Sequence, residues 1–238
     1  PFFEDIPGWS DTQINAITFA RYMLLHPELF PDWRQEVADI FAWVYSKLGN
    51  STWEKYGVVV VNEQTAYQTP GNSHTSRQAA AEILYSVRAA DSSRIENAVR
   101  QLMWATYMVA EDGKNCYPRD EIWLTDGYGD YVRHFLRAMA ALPELAPADA
   151  NHILHSTSVI SQADYAPDFN KILVPDVPLD QLDKTAIVYR TFDPSSVETV
   201  RMAAKPSSIF IGEREIHQRD DLETEGWTWR PLDRGGVL

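Results

Sequence analysis

Five segments within the first 142 residues carry hydrophobic side chains at the three- and four-residue spacing of an α-helix. Proline, glycine or short polar stretches separate them and predict helices over residues 11–25, 32–48, 73–90, 94–110 and 131–142. The first segment is apolar on nearly all sides, which predicts an inner helix. The second is amphipathic, and its apolar stripe consists of Trp33, Val37, Ile40, Phe41, Val44 and Leu48.

The third helix is expected to begin after Pro70 and Gly71. Ser73 or Thr75 is the expected N-cap, because a hydroxyl oxygen can accept from the backbone N–H groups of a first turn. The fourth and fifth segments predict amphipathic helices. The apolar stripe of the fourth is Ile95, Val99, Leu102, Met103 and Thr106, and that of the fifth is Val132, Phe135, Leu136, Met139 and Leu142.

After Pro147 the helical periodicity gives way to short β-branched runs between prolines and glycines, which predict an antiparallel sheet region. These runs are residues 158–160, 172–174, 186–189, 197–202, 208–211 and 227–229. A further run, residues 58–61, predicts a strand or an extended loop between the second and third helices. We therefore expect two domains, mainly α-helical hairpins over 1–147 and a smaller antiparallel β-sandwich-like module over 148–238.

Composition and charge narrow the classes of partner. Of the 238 residues 45% are hydrophobic, which is ample for a core, and the longest apolar run is too short to cross a bilayer. The formal net charge is −13 and Lys and Arg do not cluster, so nucleic acid and anionic membranes are poor partners. Cys116 is the single cysteine, which excludes an internal disulfide and leaves the compartment open.

The two ends of the chain predict that it is an excerpt of a longer protein. Residue 1 is proline rather than methionine, and the last residues form a turn that leads into an apolar pair. We expect the remainder of the chain, or further copies of it, to be its protein partner. A glycan is the expected substrate partner, for the reasons that follow.

Chemically rich segments fall at the starts of alternate helices. Helices joined by short connections alternate in direction, so the first, third and fifth helices are expected to start on one common face. Their starts are residues 9–13, 72–77 and 125–130, and the loop with Glu63 and Tyr67 must reach the same face. The second and fourth helices, in contrast, begin with ordinary capping residues and no further cluster of polar side chains. The sequence therefore predicts a ligand cleft at one end of the helices.

Carboxylates at this end are the first candidates for catalysis. Asp126 and Asp130 lie four residues apart across a helix start, Glu63 supplies a further carboxylate, and His74 is the fourth candidate. Structural roles fit as well: Asp126 as an N-cap, Asp130 beside the helix dipole, and His74 as a histidine packed in a loop. The residues expected to bind substrate are Arg77, Tyr128, Trp123, Tyr67, Gln13 and Trp9.

Cofactors and metals are not indicated by the sequence. The histidines are scattered without an H-x-x-x-H pattern or cysteine pairs, so no metal site is predicted. No glycine-rich phosphate-binding motif follows a strand, and no G-x-S-x-G segment is found. We therefore expect a reaction that needs no cofactor.

Residues of about 10 to 145 form predicted hairpins of an apolar inner and an amphipathic outer helix, and a β-rich module follows them. This arrangement resembles the α/α-toroid enzymes of carbohydrate metabolism. That group includes six-hairpin glycosidases, toroidal polysaccharide lyases and sugar epimerases. The resemblance is architectural. It implies that the helices form part of a toroid and that the ligand of the cleft is a glycan.

Three functions are compatible with these residues. The first is a glycoside hydrolase acting on an oligo- or polysaccharide, in which Asp126 or Asp130 donates the proton and Glu63 serves as base or nucleophile. The second is a uronate polysaccharide lyase, in which a tyrosine pairs with His74 in proton abstraction and Arg77 neutralises the uronate. The third is a non-catalytic module that binds a glycan or a protein.

Overall fold

Helices make up most of the first of two compact units into which the chain divides, Pro1–Leu142 and Pro143–Leu238. The computed structural model describes residues 13–65, 68–111, 130–165 and 187–238. Within these residues the fold is mixed α/β, with five α-helices and several small antiparallel sheets. All five predicted helices are present: α1 (Gln13–Leu25), α2 (Trp33–Leu48), α3 (Asn72–Ala89), α4 (Ile95–Tyr107) and α5 (Asp130–Ala141).

The main hydrophobic core of the helical unit lies between α1, α2 and α3. Phe41 of α2 is fully buried, and its ring meets Tyr85 of α3 edge to face with 5.7 Å between the ring centroids. Burial of a side chain of this size stabilises the fold by about 1.5–3 kcal/mol. The stripe predicted for α2 is confirmed, with Ile40 partly buried and the other members buried: Trp33, Val37, Phe41, Val44 and Leu48.

In the described residues helix α1 is buried on one face only, so the prediction of an inner helix is wrong although most of its side chains are apolar. Phe19 and Tyr22 are 51% and 45% exposed. The helix packs against α2 and α3, and both lie against the same stripe of its surface. That stripe consists of Gln13, Ile17, Ala20, Met23 and Leu24.

The buried face of α4 differs in part from its predicted stripe. Leu102 is buried as predicted, but Met103 is 48% exposed and Thr106 is exposed. The helix packs mainly against α3, and apart from Leu102 its buried residues are small or can hydrogen-bond. The buried set is Ala98, Gln101, Leu102, Trp104 and Ala105.

The stripe predicted for α5 is correct only in part, because Phe135, Met139 and Leu142 are partly buried but its other two members are not. Val132 and Leu136 are 41% and 54% exposed, whereas His134 and Ala138 are almost completely buried. Helix α5 also packs against α3. Because the first half of α3 is polar, a small residue and a hydrogen-bonding ring suit this contact better than a row of aliphatic side chains.

Helix α3 begins one residue earlier than predicted, and neither expected cap is correct. Its N-cap is Gly71, with extended backbone and no side-chain capping bond, so Ser73 lies inside the first turn. The hydroxyl of Thr75 instead accepts from the backbone N–H of Val61 at 3.1 Å. Val61 ends a short strand, β2 (Val60–Val61), which pairs antiparallel with β1 (Gly49–Asn50) at the end of α2. Pairing with this strand therefore takes the hydroxyl away from the helix end.

The second unit consists of small antiparallel sheets, as the pattern after Pro147 predicts. A four-stranded sheet has the order β3-β6-β10-β9, and β4-β5 and β7-β8 form two-stranded pairs. The strands are β3 (His152–Ser156), β4 (Ile160–Tyr165), β5 (Ile187–Thr191), β6 (Glu198–Met202), β7 (Ile209–Ile211), β8 (Arg214–Ile216), β9 (Arg230–Pro231) and β10 (Gly236–Val237).

Two of the predicted β runs are displaced from the observed strands, and a third, 172–174, lies outside the described residues. Ser158 and Val159 form the connection between β3 and β4. Trp227 and Trp229 precede β9, and the indole of Trp227 donates to the carbonyl of Ile216 at 3.0 Å. Both runs are β-branched or aromatic, but tertiary contacts decide whether such runs pair.

Candidate functional site

The first half of α3 is a polar segment that is buried in the helical unit. Residues 72–78 are all polar, and the most exposed of them, Arg77, is 8% accessible. A helix start with this composition usually faces water, because burial of polar groups costs free energy unless they are hydrogen-bonded. Here neighbouring elements supply the partners, which makes this segment the chemically richest interior part of the described chain.

The loop before α3 carries Glu63 to the helix start. Its backbone N–H donates to the carbonyl of Thr69 at 3.1 Å, and the N–H of Gly71 donates to the carbonyl of Val61 at 3.1 Å. These bonds bring residues 61–63 against residues 69–71, so that Glu63 lies close to the start of α3. Glu63 is 3% exposed as a result.

Gln13, the first residue of α1, joins the starts of α1 and α3. Its amide nitrogen donates to the carbonyl of His74 at 2.8 Å, and its amide oxygen accepts from Nη1 of Arg77 at 3.1 Å. Gln13 is completely buried. The expectation from alternating helix directions, that Gln13, His74 and Arg77 lie together, matches these contacts.

Glu63 and His74 both lie close to Gly71. A Cβ atom built on Gly71 would stand 2.7 Å from Nδ1 of His74 and 3.1 Å from Cγ of Glu63. Both side chains are only 3% exposed. A side chain at position 71 would displace one or both of them, so glycine allows a carboxylate and an imidazole to approach the same point of the backbone.

His134 belongs to this cluster, although the sequence analysis missed it. It lies on α5, is 1% exposed, and its Nδ1 is 3.3 Å from Nη1 of Arg137. Burial, followed by the charges of Arg77, Arg137, Arg133 and His74, lowers the pKa of His134 to about 2. The ring is therefore neutral. The signal that would have found it is the i, i+4 spacing of His134 and Ala138, the two almost completely buried residues of α5.

A second buried network lies one turn further along α3. An oxygen of Glu82 accepts from the amide of Gln78 at 2.8 Å, and Arg94 approaches it at 3.8 Å. Burial raises the pKa of Glu82, and burial also raises the pKa of Tyr45, whose hydroxyl is hydrogen-bonded to Glu82. Gln101 donates to the same hydroxyl at 3.0 Å. This network places a carboxyl group with a raised pKa in the interior between α2, α3 and α4.

Several predicted site residues fall where the structure makes no statement. Trp9, Tyr67, Trp123, Asp126 and Tyr128 lie outside the described residues. Asp130 is the first residue of α5, but its side chain is outside the described part. The structure thus brings one predicted carboxylate together with the predicted imidazole, guanidinium and amide. We call this group, with the additional His134, the α3-start cluster. Its members are Gln13, Glu63, His74, Arg77 and His134.

Comparison with known proteins finds no family or relative from which a function could be inferred. No family model matches the chain, and no match is found among curated proteins. In the described ranges, no three His, Cys, Asp or Glu side chains group closely enough to hold a metal ion. No helix there is both long and apolar enough to span a membrane. Function is therefore argued from the side chains of the α3-start cluster.

Proposed function

We propose that this protein is a carbohydrate-active enzyme that hydrolyses glycosidic bonds in an oligo- or polysaccharide. The observation that carries the proposal is the α3-start cluster, in which Glu63 and His74 share the space beside Gly71 and Gln13 binds Arg77. Glycan sites need closely set hydrogen-bonding groups, and hydrolysis needs a positioned carboxylate. In this proposal the helical unit is part of an α/α toroid and the β unit is a sandwich-like accessory module.

Glu63 is the catalytic base or nucleophile in this proposal. Its burial beside His74 supports that role, because a carboxylate away from bulk water interacts more strongly with the charge that develops on the sugar ring. Asp126 or Asp130 supplies the proton to the leaving oxygen. Arg77 and Gln13 position sugar hydroxyl groups, and the aromatic residues proposed for stacking on sugar rings are Trp9, Tyr67, Trp123 and Tyr128.

A panel of oligo- and polysaccharides, with release of reducing ends as the readout, tests this function. Glu63→Gln keeps the shape of the side chain and removes the carboxylate, so we expect a fall in kcat of about 10²–10⁴-fold. Glu36→Gln, at an exposed position of α2, is the matched control and should retain full activity. Equal turnover by the two variants would remove Glu63 from catalysis, and no cleavage of any glycan by the parent would reject hydrolysis.

A uronate polysaccharide lyase is the second candidate, and one observation favours it. The α3-start cluster gathers groups that suit an anionic sugar, because the charges of Arg77 and His74 both lower the pKa of the His134 ring. In this reaction His74, paired with Tyr67 or Tyr128, removes the proton next to the uronate, and Arg77 neutralises the carboxylate.

Ultraviolet absorbance of an unsaturated product separates the lyase from the hydrolase. His74→Gln should abolish that absorbance, whereas His155→Gln, at an exposed position of β3, should leave it unchanged. Arg77→Lys and Arg88→Lys form a second matched pair on the same helix, since Arg88 is exposed. Retention of a glycan on an affinity gel without any product would instead favour a non-catalytic module.

A further inference from the structure

The side-chain amide of Gln13 is bonded at both ends to the first two turns of α3. Its nitrogen donates to the carbonyl of His74 at 2.8 Å, and its oxygen accepts from Nη1 of Arg77 at 3.1 Å. A backbone carbonyl can only accept and a guanidinium group can only donate, so these two partners allow a single orientation of the amide. Gln13 is also completely buried. Its polar atoms are therefore engaged inside the protein.

The backbone that carries this amide is held by the hydrophobic core. Gln13 lies on the same buried stripe of α1 as Ile17, Ala20 and Leu24, which belong to the core between α1, α2 and α3. Helix α1 packs against α3. A side chain supported by packed helices can hold its partner in one geometry more precisely than a side chain on a loop.

We infer that Gln13 is a positioning residue, which holds the guanidinium of Arg77 in one orientation and acts on the glycan through Arg77 rather than by touching it. The inference rests on the proposed function, in which Arg77 positions sugar hydroxyl groups. Arg77 is the more exposed member of the pair, with 8% of its surface accessible against none of Gln13. A long side chain loses rotamer freedom when it binds a ligand, and a bond that fixes it in the free protein lowers this cost.

A double-mutant cycle on KM tests this role with the best glycan substrate of the panel. Gln13→Met keeps the length of the side chain and removes both polar ends. It should raise KM about tenfold with kcat nearly unchanged, the effect of about one hydrogen bond to a charged group. In an Arg77→Met background the same change should not raise KM further, because Gln13 then has no guanidinium to position. Gln35→Met, at an exposed position of α2, is the control and should behave as the parent.

Gln13→Glu separates the two ends of the amide. It keeps an acceptor for Arg77 and removes the donor to the carbonyl of His74. Its KM should therefore lie closer to that of the parent than the KM of Gln13→Met does. Additive effects of Gln13→Met and Arg77→Met on KM would overturn the inference. So would a fall in kcat at unchanged KM in Gln13→Met, since that result indicates only a loss of folded enzyme.

Nuclear magnetic resonance of the Arg77 guanidinium gives a readout that needs no activity. In the parent, rotation about the Nε–Cζ bond should be slow and the Nη protons should give separate signals, which Arg77→Lys assigns by their loss. In Gln13→Met rotation should be faster and the signals should merge. Arg88, exposed on the same helix, should show merged signals in every variant. Fast rotation at Arg77 in the parent would overturn the inference even if the variants fail to fold.

The positioning role and the proposed function fail separately. Slow rotation at Arg77 that depends on Gln13, with no product from any glycan, would keep the positioning of Arg77 and remove the enzyme. Glycan cleavage with the same Arg77 rotation in the parent and in Gln13→Met would keep the enzyme and remove the positioning role.

Discussion

Replacement of Gly71 by alanine directly perturbs the geometry of the α3-start cluster. The backbone of Gly71, with φ −104° and ψ 130°, is extended and suits any residue. The new methyl group, however, would lie 2.7 Å from Nδ1 of His74 and 3.1 Å from Cγ of Glu63. Overpacking costs about 1–3 kcal/mol, and the lower entropy of the unfolded chain offsets about 0.4–1 kcal/mol of it. We expect a net loss of about 1–2 kcal/mol.

Urea unfolding of the full chain, followed by the helical circular dichroism signal, measures this loss. His74→Ala removes the closest obstacle, so Gly71→Ala should cost less in that background, with a coupling energy of about 0.5–3 kcal/mol. Gly212→Ala is the control for the cycle, because its Cβ would meet no atom within 4 Å and its cost arises from a φ of +59° alone. If Gly71→Ala cost the same with and without His74, the proposed contact between them would be refuted.

Three further predictions concern the cores of the two units. Phe41→Ala should lower the free energy of unfolding by about 3–5 kcal/mol in guanidinium, because it empties a fully buried position. Burial raises the pKa of Glu82, so the contribution of Glu82 to stability should be fully present below the ordinary value of 4.5 and be lost as pH rises through the folded-state value; Glu82→Gln should lack this loss in thermal scans. Arg201→Ala should cost about 1–3 kcal/mol and speed amide exchange at Val237, because Arg201 donates to the carbonyls of Met202, Gly236 and Arg234.

Each of these predictions has an exposed counterpart as control. Tyr107→Ala alters an aromatic residue that is 79% exposed, and an equal cost for Phe41→Ala would contradict the packing of the core. Glu36→Gln should keep the pH dependence of the parent, and a Glu82→Gln variant with that same dependence would show that Glu82 ionises normally. Arg190→Ala, on β5, should leave amide exchange in β10 unchanged.

The sequence by itself determined the five helices and the change to strands after Pro147. Helical periodicity bounded by proline, glycine and polar stretches is a local property, and the stripe of α2 follows from it because that helix has one buried face. Gln13 also contacts His74 and Arg77, residues 61 and 64 positions away along the chain, as the sequence analysis expected.

The tertiary structure alone decided which helix is central and what its neighbours must supply. Helix α3 packs against α1, α4 and α5, so its polar first half is buried, and a single-helix pattern cannot reveal that. The same packing turns His134 inward in place of the larger aliphatic residues of α5. It also buries Glu82 beside Tyr45. Periodicity reports which positions of one helix avoid water, whereas hydrogen-bond partners for buried polar groups come from distant segments that only the folded chain brings together.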